Sequence, residues 1–279
     1  MRLVVTGAGG GLARAFLAQA PGHHQVHTFT HAELDIGDHD AVMQEIPPFG
    51  PDAILNFAAH TQVDACETDP RLAARDNAIG AQNTALAARA CGAILVHLST
   101  DYVFDGTKGA SYDELDTPNP LSVYGRTKLA GEAFVRNVLP EHFVVRTGFV
   151  FGAGDDYASD AVERLRRGES AGGIRDRTGS PTFVRHLASR LLPLLLTGRF
   201  GTYHLAGSEP ACWFEVLERA RAIGGLSGTV HPQEVGSLGL VAARPANSSL
   251  TSVFLEHLGI EPFPSLDGAV EEWLASTAG

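Results

Sequence analysis

The stretch "RLVVTGAGGGLARAF" at residues 2–16 determines the fold class that the sequence predicts. A short apolar run leads directly into glycines at 7, 9, 10 and 11, and a helical pattern follows. Such a turn lets the backbone approach a pyrophosphate closely, and the helix N-terminus offers unpaired N–H groups. In the spacing Gly7, Gly10, Ala13, a small alanine replaces the usual third glycine and still permits close helix–strand packing. The turn therefore predicts dinucleotide binding, although a plain tight turn in a chain with 31 glycines is the simpler alternative.

The pattern that begins at this turn continues through the first 150 residues. Apolar runs typical of buried strands occupy 2–6, 25–29, 53–57, 93–99 and 143–151. Helical patterns of crossover length lie between them at 11–20, 38–46, 70–91 and 122–138. Repeated strand–helix–strand units predict a parallel sheet covered by helices on both faces. The predicted fold is thus α/β, a doubly wound, Rossmann-like parallel sheet.

The pattern changes after Gly152, which predicts a second, smaller unit. We expect a helix at 157–168, an irregular glycine-rich passage at 172–183, and a helix at 184–196. A short strand near 202–207 could rejoin the main sheet, and helices at 212–223 and at the end of the chain complete the pattern. The expected organisation is a dinucleotide-binding domain at 1–150, rejoined by about 180–207, and a mainly substrate-binding lobe interleaved with it at 151–279.

The composition and net charge of the chain argue against nucleic acid, membrane and metal as partners. The 279-residue chain is 44% hydrophobic and carries a formal charge of −11, so its field repels nucleic acid and anionic membranes. The first residues lack the apolar core of a signal peptide, and no apolar run reaches the length of a membrane span. Three separated cysteines and twelve scattered histidines show no metal-binding spacing. A reducing cytoplasm is the expected location.

The end of the second strand bears on the choice of cofactor. An acidic residue there would bond the free ribose hydroxyl of NAD. Thr30 and His31 occupy this place, so no acid would repel a 2′-phosphate. NADP(H) is therefore favoured over NAD(H), although no arginine clamp for the phosphate is visible.

The stretch "VYGRTKLAGE" (123–132) places Lys128 four residues after Tyr124. That spacing puts both side chains on one helical face. A free tyrosine titrates near pH 10, and a neighbouring ammonium would stabilise its phenolate and lower its pKa. Because the chain has only two lysines among 21 basic residues, the lysine suggests chemistry rather than a surface charge. "LSTDYVFDG" (98–106) adds Thr100 at the end of the fourth strand, where its hydroxyl could bond a substrate carbonyl beside Tyr124.

Four segments together carry a family resemblance: "TGAGGGLA" (6–13), "NFAAHTQVD" (56–64), "STDYVFDG" (99–106) and "YGRTKLAGE" (124–132). They resemble the extended short-chain dehydrogenase/reductase (SDR) superfamily and, more narrowly, the dTDP-4-dehydrorhamnose reductase family. "LDI" (34–36), "GSPT" (179–182) and "ARPANSSL" (243–250) extend the similarity along the chain.

This resemblance implies a role for particular residues. The catalytic set would be Thr100, Tyr124 and Lys128, and Asn77 would be a structural support. Besides Tyr124 and Lys128, the cofactor would contact Gly7, Gly10, Leu12, Asp35, Ala58 and Ala59. The nucleotide sugar would contact Thr61, Val63, Tyr102 and Phe149.

The chain departs from the family's pattern in two places. Gly148 and Phe149 stand where the family usually has serine and tryptophan, which keeps an aromatic wall but changes the sugar pocket. Ala15 stands where some relatives carry an acid that binds magnesium between subunits, so no metal is carried over.

The implied reaction is a hydride transfer from the reduced nicotinamide to C4 of a 4-keto-6-deoxy sugar, with Tyr124 protonating the oxygen. The expected partner is a nucleotide-diphosphate sugar, and the chain is expected to act as a monomer or homodimer. Arg244 is a candidate for holding the diphosphate, because a guanidinium fork fits phosphate. An ordinary ion pair is an equally good interpretation of Arg244.

Two other functions stay open at the level of sequence. The first is another chemistry on the same fold. Dehydratases of this kind carry a glutamate where Tyr102 stands, so dehydration is disfavoured, whereas epimerisation is harder to dismiss. The second is a non-catalytic role, because a regulatory subunit of methionine adenosyltransferase is similar to this family. An intact set of Thr100, Tyr124 and Lys128 favours an enzyme.

Overall fold

The computed structural model describes residues 1–20 and 22–277. In chain order its strands are β1 (Arg2–Thr6), β2 (Gln25–Phe29), β3 (Ala53–Asn56), β4 (Ile94–Thr100), β5 (His142–Thr147), β6 (Val150–Phe151), β7 (Ser170–Ile174), β8 (Thr178–Gly179), β9 (Thr182–Phe183), β10 (Gly201–His204), β11 (Ala211–Cys212) and β12 (Thr229–Gln233). Its α-helices are α1 (Gly11–Gln19), α2 (His39–Glu45), α3 (Val63–Thr68), α4 (Pro70–Ala74), α5 (Gly80–Cys91), α6 (Val123–Val138), α7 (Tyr157–Arg166), α8 (Val184–Leu196), α9 (Trp213–Ile223) and α10 (Leu266–Ser276).

Six parallel strands form the main sheet in the order β10–β5–β4–β3–β1–β2. The chain runs outward from β1 to β2 and then crosses to β3 on the other side of β1. This reversal creates a crevice at the carboxyl ends of β1 and β3, the place where open parallel sheets bind ligands. The predicted doubly wound α/β fold is confirmed.

Both faces of the sheet are buried, which explains why its strands are continuous apolar runs rather than alternating ones. Leu3 and Val5 of β1 face a core that includes Phe16 of α1 and Leu187 of α8. Val4, between them, points to the opposite face, where Ala85 of α5 belongs to the second core. Both of these core clusters therefore help to fix the register of β1 and the position of the turn that follows it.

The helices begin and end where local chemistry predicts. Asp38 caps α2 by accepting from the N–H groups of Asp40 and Ala41, at 3.0 and 3.1 Å. Pro70 occupies the first turn of α4, and Gly92 ends α5 with a φ of +69°. The helix predicted over 70–91 is continuous but contains a π-helical segment, Arg75–Ile79.

Two predictions of secondary structure were incomplete, and helix α3 was not predicted. The strand expected over 143–151 ends at Thr147, because Phe149 takes a left-handed φ of +47° before β6 begins. The glycine-rich passage at 172–183 was expected to be irregular, yet it contains most of β7 and the whole of β8 and β9. These strands pair with partners far away in sequence, namely β12, β11 and β6. Strands of two to five residues carry little local signal, which is why they were missed. Helix α3 has only six residues, too few for a helical period to stand out.

The segment after residue 150 does return to the main sheet, as expected. β10 pairs with β5 at the edge, and α8 packs against α1. The division into a domain at 1–150 and a lobe at 151–279 stays a prediction. Among the described residues, no helix is both long and apolar enough to cross a membrane.

Candidate active site

The turn after β1 is shaped by contacts that only glycine permits. Gly7 has a φ of +70°, and a Cβ there would lie 2.6 Å from the backbone nitrogen of Ala58. A Cβ on Gly11 would overlap the Cβ of Ala153, which packs against the start of α1. The first turn of α1 contains no acidic residue, and among the described residues no side chain caps it. Its N–H groups and positive dipole end are therefore available to an anion.

A cleft of about 300 Å³ lies at the switch point beside this turn. Its lining includes most of the residues expected to hold a cofactor: Gly7, Gly10, Asp35, Ala58 and Ala59. Thr61, which was expected to face the sugar, lines the same cleft. Leu12 differs from expectation because its side chain is buried in the core, which leaves only its backbone near the turn. The close backbone approach and the acid-free helix start fit a dinucleotide.

Two carboxylates lie on the segment between β2 and α2, part of which lines this cleft. The Asp35 carboxylate accepts from the N–H of Gly37 at 2.9 Å and forms an ion pair with Arg75. At the end of β2, the Glu33 carboxylate accepts from both the backbone N–H and the hydroxyl of Thr30, each at 2.8 Å. These bonds lower the pKa of Glu33, so it is ionised at neutral pH. The premise that no acid stands at the end of β2 is therefore wrong, because the turn folds Glu33 back onto Thr30.

Thr100, at the carboxyl end of β4, is held by its neighbours in the chain. Its hydroxyl donates to the Asp101 carboxylate at 3.0 Å and accepts from the N–H of Tyr102 at 3.1 Å. Asp101 also accepts from the hydroxyl of Ser248 at 2.5 Å. Burial raises the pKa of Asp101 to about 6, although both hydroxyl donors counteract this rise.

Tyr124 lies in the first turn of α6, directly over this group. Ser122 caps the helix by accepting from the N–H of Gly125 at 3.1 Å, and Gly125 allows the helix to approach the backbone of Tyr102. The rings of Tyr102 and Tyr124 meet edge to face at 5.9 Å. The hydroxyl of Thr100 is a polar group that faces the Tyr124 phenol.

The electrostatics of Tyr124 differ from the sequence-based expectation. Burial, followed by the charge of Asp101, raises the pKa of Tyr124 above its ordinary value, and only Thr100 counteracts the rise. Lys128 does not lower it, because its Nζ donates to the backbone oxygen of Leu98 at 2.6 Å. The phenol of the chain by itself is therefore a firmly protonated acid.

Lys128 is the more unusual of the pair, since only 3% of its surface is exposed. Burial lowers its pKa from 10.5 to about 8, with Glu132 opposing the change. Glu132 is itself fully buried and already engaged by Arg146 at 2.7 Å and by the hydroxyl of Ser99 at 2.5 Å. This network joins α6 to β4 and β5 and fixes the position of Tyr124 and Lys128 on the sheet edge.

Asn77 lies on the π-helical segment and supports the site from below. Its side-chain amide accepts from the N–H of His60 at 2.8 Å and donates to the His60 carbonyl at 3.1 Å and to the hydroxyl of Thr127 at 3.1 Å. The loop after β3 is thereby fastened to α6, so the cofactor cleft and the tyrosine keep a fixed relative position.

The aromatic wall expected from Phe149 is built by two side chains. Phe149 stacks on Trp213 of α9 with ring centroids 5.0 Å apart and planes 5° from parallel. Its ring also packs on Gly179, where any Cβ would overlap it. Trp213, which no sequence motif singled out, thus shares this wall. The positive φ of Phe149 directs its side chain toward these partners.

Arg244 reaches the same region but is engaged in an ion pair. Its two terminal nitrogens contact the Asp64 carboxylate at 2.5 and 3.2 Å, and its charge faces the Tyr102 hydroxyl. Asp64 also accepts from the N–H groups of Val241 and Ala242, and its pKa is lowered to about 2. Val63, expected to contact the sugar, is the residue before Asp64 at the start of α3.

Sequence reasoning missed several residues of this site. Asp101 directly follows Thr100, and Glu33 accepts from the backbone N–H of Thr30; the ability of an acidic side chain to bond to nearby N–H groups was the available signal for Glu33. Arg177 also faces Tyr102, and nothing in the sequence indicated it. Over the described residues, no group of three His, Cys, Asp or Glu side chains could hold a metal ion.

The strand order and a cleft at the switch point define the class of protein as a doubly wound, Rossmann-like α/β fold. dTDP-glucose 4,6-dehydratase from Streptomyces venezuelae shares it with a TM-score of 0.81 at 20% identity, over 99% of this chain and 96% of that one. At this identity the likeness shows the fold alone.

A narrower assignment follows from closer relatives. The model of the RmlD substrate binding domain family matches residues 1–278, so the chain belongs to this family. The dTDP-4-dehydrorhamnose reductase of Mycobacterium tuberculosis is 36% identical over 99% of this chain and 93% of that protein. The solved dTDP-4-dehydrorhamnose reductase from Bacillus anthracis in complex with NADP is 33% identical, covers 99% of both chains and has a TM-score of 0.95.

Proposed function

We propose that the chain is an NAD(P)H-dependent oxidoreductase that reduces the C4 keto group of a nucleotide-activated 6-deoxy sugar, converting dTDP-4-dehydrorhamnose to dTDP-rhamnose. The observation that supports the proposal is Thr100 beside Tyr124 of α6, together with the link that Asn77 makes between α6 and the loop after β3, which lines the glycine-rich cleft. The names of the relatives supply the substrate class.

The cleft would hold the cofactor through backbone as much as side chains. Gly7 and Gly10 with the N-terminus of α1 would bind the pyrophosphate, and Ala58 and Ala59 would line the opposite wall. A bound reduced nicotinamide would supply the hydride for C4 of the sugar. Asp35 would contact the adenosine half, where it lies at the rim of the same cleft.

The proton for the sugar oxygen would come from Tyr124. A hydride arriving at C4 leaves negative charge on the oxygen, and a positioned acid neutralises it as it develops. The raised pKa of Tyr124 keeps the phenol protonated until that charge appears. Lys128, fixed at Leu98, would hold the ribose hydroxyls of the cofactor.

Trp213, Arg177 and Arg244 of the later segment would join earlier residues to form the nucleotide side of the substrate site. The aromatic wall of Phe149 and Trp213 and the edge of Tyr102 would contact the sugar and base. Arg244, together with Arg177, would face the diphosphate, and the Asp64 ion pair would fix the direction of the Arg244 fork. Thr61 and Val63 would contribute from the loop between β3 and α3. We propose a boundary near residue 150 on this basis.

The choice between the two nicotinamide cofactors depends on Glu33. NADP use is supported by the Bacillus anthracis relative, which was solved with NADP. Glu33 adds a negative charge at the end of β2, between His31 and Asp35 of the cleft rim, and such a charge opposes a 2′-phosphate. Glu33→Gln should therefore increase the NADPH preference, measured as the ratio of kcat/KM for NADPH and NADH. An unchanged ratio would show that Glu33 only closes the turn.

The test of the proposed function is oxidation of NADPH and NADH in parallel against a panel of 4-keto sugar nucleotides. We expect dTDP-4-dehydrorhamnose to be turned over and NMR of the product to show dTDP-rhamnose. Tyr124→Phe, which keeps the ring, is the matched control. Turnover of no keto sugar by a folded, cofactor-binding chain would contradict the proposal.

A further inference from the structure

Asp76 is a carboxylate of the cofactor cleft whose capacity to accept hydrogen bonds is unused. It lies on the π-helical segment, directly before Asn77, and lines the cleft together with Asp35. Its side chain is only 16% exposed, and among the described residues no donor forms a hydrogen bond with its covered Oδ1. A carboxylate so largely removed from water normally accepts hydrogen bonds. A ligand in the cleft is therefore the expected source of a donor.

The two oxygens of Asp76 differ in what surrounds them. Nη1 of Arg75 lies 3.4 Å from Oδ1, which is within the range of an ion pair but lacks the geometry of a hydrogen bond. Nδ1 of His60 lies 3.9 Å from Oδ2, which is too far for a hydrogen bond. Since protein covers Oδ1, Oδ2 is the oxygen with which Asp76 can meet a molecule in the cleft.

The other carboxylate, Asp35, is already paired at both of its oxygens. Oδ1 accepts from the N–H of Gly37 at 2.9 Å, and Oδ2 pairs with Nη2 of Arg75. A Cβ on Gly37 would lie 2.7 Å from Nε of Arg75, so the glycine leaves room for the arginine side chain. Arg75 directs one terminal nitrogen toward each carboxylate and offsets their mutual repulsion. Asp76 is thus the carboxylate with an oxygen left for a ligand.

The strand order gives the direction of a dinucleotide in this cleft. The glycine turn after β1 would hold the pyrophosphate, which lies in the middle of the molecule. The nicotinamide has to reach Tyr124, beside Thr100 at the end of β4, so it belongs on the β4 side of β1. The adenosine half then extends toward the segment after β2, which lines the cleft with Asp35. Because Arg75 joins Asp76 to Asp35, Asp76 belongs to the adenosine end.

Adenosine offers two kinds of donor to a carboxylate, namely the hydroxyls of its ribose and the exocyclic amine of adenine. The ribose pairs with an acid at the end of the second strand, and Glu33 occupies that place in this chain. The amine is the donor that remains for Asp76. Ile36 and Ala58 also line the cleft and present apolar surface to the faces of a flat base.

We propose that Asp76 is a specificity-determining residue of the cofactor site, which accepts a hydrogen bond from the exocyclic amine of adenine. It thereby selects adenine over a base that carries an oxygen at the same position. This inference rests on the proposed function and refines it, because it assigns the base to Asp76 and leaves Asp35 to hold Arg75.

The experiment measures the binding of NADH and of reduced nicotinamide hypoxanthine dinucleotide, in which an oxygen replaces the amine, by calorimetry without sugar. We expect the native chain to bind the hypoxanthine dinucleotide at least about tenfold more weakly, because a hydrogen bond to a charged acceptor is lost. In Asp76→Asn the amide donates to the oxygen as well as it accepts from the amine, so the two Kd values should differ by less than about twofold. A native chain that binds both equally, or an Asp76→Asn variant that keeps the native ratio, would overturn the proposal.

Further variants separate Asp76 from its neighbour and from a general loss of folding. Asp35→Asn should keep the native ratio of the two Kd values, and a ratio lost there but kept in Asp76→Asn would assign the amine to Asp35 instead. Asp76→Ser, a smaller side chain without the charge, should bring the ratio to within about twofold of one, and a native ratio there would also overturn the proposal. Asp113→Asn, on the loop between β4 and α6, is the matched control and should change neither Kd. Since each ratio compares two ligands on one variant, a reduced fraction of folded chain affects both alike.

Binding and turnover together distinguish this inference from the proposed function. If the ratio of Kd values behaves as expected while no keto sugar is reduced, the proposed reduction fails and the role of Asp76 stands. If keto sugar is reduced but the hypoxanthine dinucleotide binds as tightly as NADH, only the role of Asp76 fails. If the folded chain binds neither dinucleotide, both fail.

Discussion

Replacing Lys128 by methionine is expected to make the folded chain more stable near pH 7 while removing the proposed activity. Methionine fills a similar volume without a charge. Lys128 is almost wholly buried, and its single hydrogen bond goes to the Leu98 carbonyl. Burial therefore destabilises the charged form of Lys128, and such destabilised charges cluster at functional sites.

The size of the effect follows from the pKa. A fall from 10.5 to about 8 means that the charged amine costs the fold about 3 kcal/mol, since one pH unit corresponds to 1.36 kcal/mol. Losing the bond to Leu98 offsets about 1 to 2 kcal/mol of this. We therefore expect the free energy of unfolding to rise by about 1 to 2 kcal/mol near pH 7.

The pH dependence of the unfolding free energy independently checks whether the charge of Lys128 destabilises the fold. Because the folded pKa lies below the unfolded one, the cost is fully present below about pH 8 and disappears as the pH rises through 10.5. In that interval the native chain gains stability from this residue and the methionine variant does not. The advantage of the variant should shrink by about 2 kcal/mol between pH 7 and pH 9.5.

The assay is urea denaturation at both pH values, with activity measured in parallel. Lys108→Met is the matched control: this partly exposed lysine pairs with Asp116, so its loss should change stability by less than about 1 kcal/mol. Lys128→Arg keeps the charge but cannot shed its proton, and should lose both stability and activity. A Lys128→Met variant less stable than the native chain at pH 7, or an advantage that does not vary with pH, would refute the reasoning.

Three further changes test other parts of the site. Tyr124→Phe should lower kcat by about 10²- to 10⁴-fold yet leave cofactor affinity, measured by fluorescence titration, within about twofold; retained turnover would mean another proton donor. Phe149→Ala should raise the sugar KM more than the cofactor KM, and lower the unfolding free energy by at least about 1 kcal/mol as the stack on Trp213 is lost. Gly7→Ala should abolish cofactor binding in calorimetry, because its Cβ would meet Ala58 and its φ is positive. Gly9→Ala, where a Cβ meets nothing within 4 Å, is the control for stability in that loop.

Local patterns predicted the main sheet and most of its helices, because both faces of the sheet are buried and its strands are continuous apolar runs. The glycine turn and the Tyr124–Lys128 spacing also predicted where the site would lie. Thr100 was proposed because the carboxyl end of a parallel strand is a place where ligands bind. The short pairs formed by β7, β8 and β9 were missed, since paired residues lie 32 or more positions apart in the chain.

The electrostatics of the site were the least predictable part. The spacing of Tyr124 and Lys128 suggested that the lysine lowers the pKa of the phenol, but a side chain's direction depends on its partners. Lys128 points to Leu98, and burial decides the pKa of both groups. Glu33 shows the same limit, because its carboxylate reaches the end of β2 only through a turn that brings it back to Thr30.

The sequence by itself determined the class of fold and indicated the proposed place of the cofactor and the proposed acid, because periodicity, glycine spacing and helical spacing are properties of neighbouring residues. Only the tertiary structure brings Ser248 into contact with the carboxylate of Asp101, 147 positions earlier in the chain. It also stacks Trp213 on Phe149 and pairs Arg244 with Asp64. Those contacts set burial and charge, and burial and charge set the pKa values on which the proposed chemistry depends.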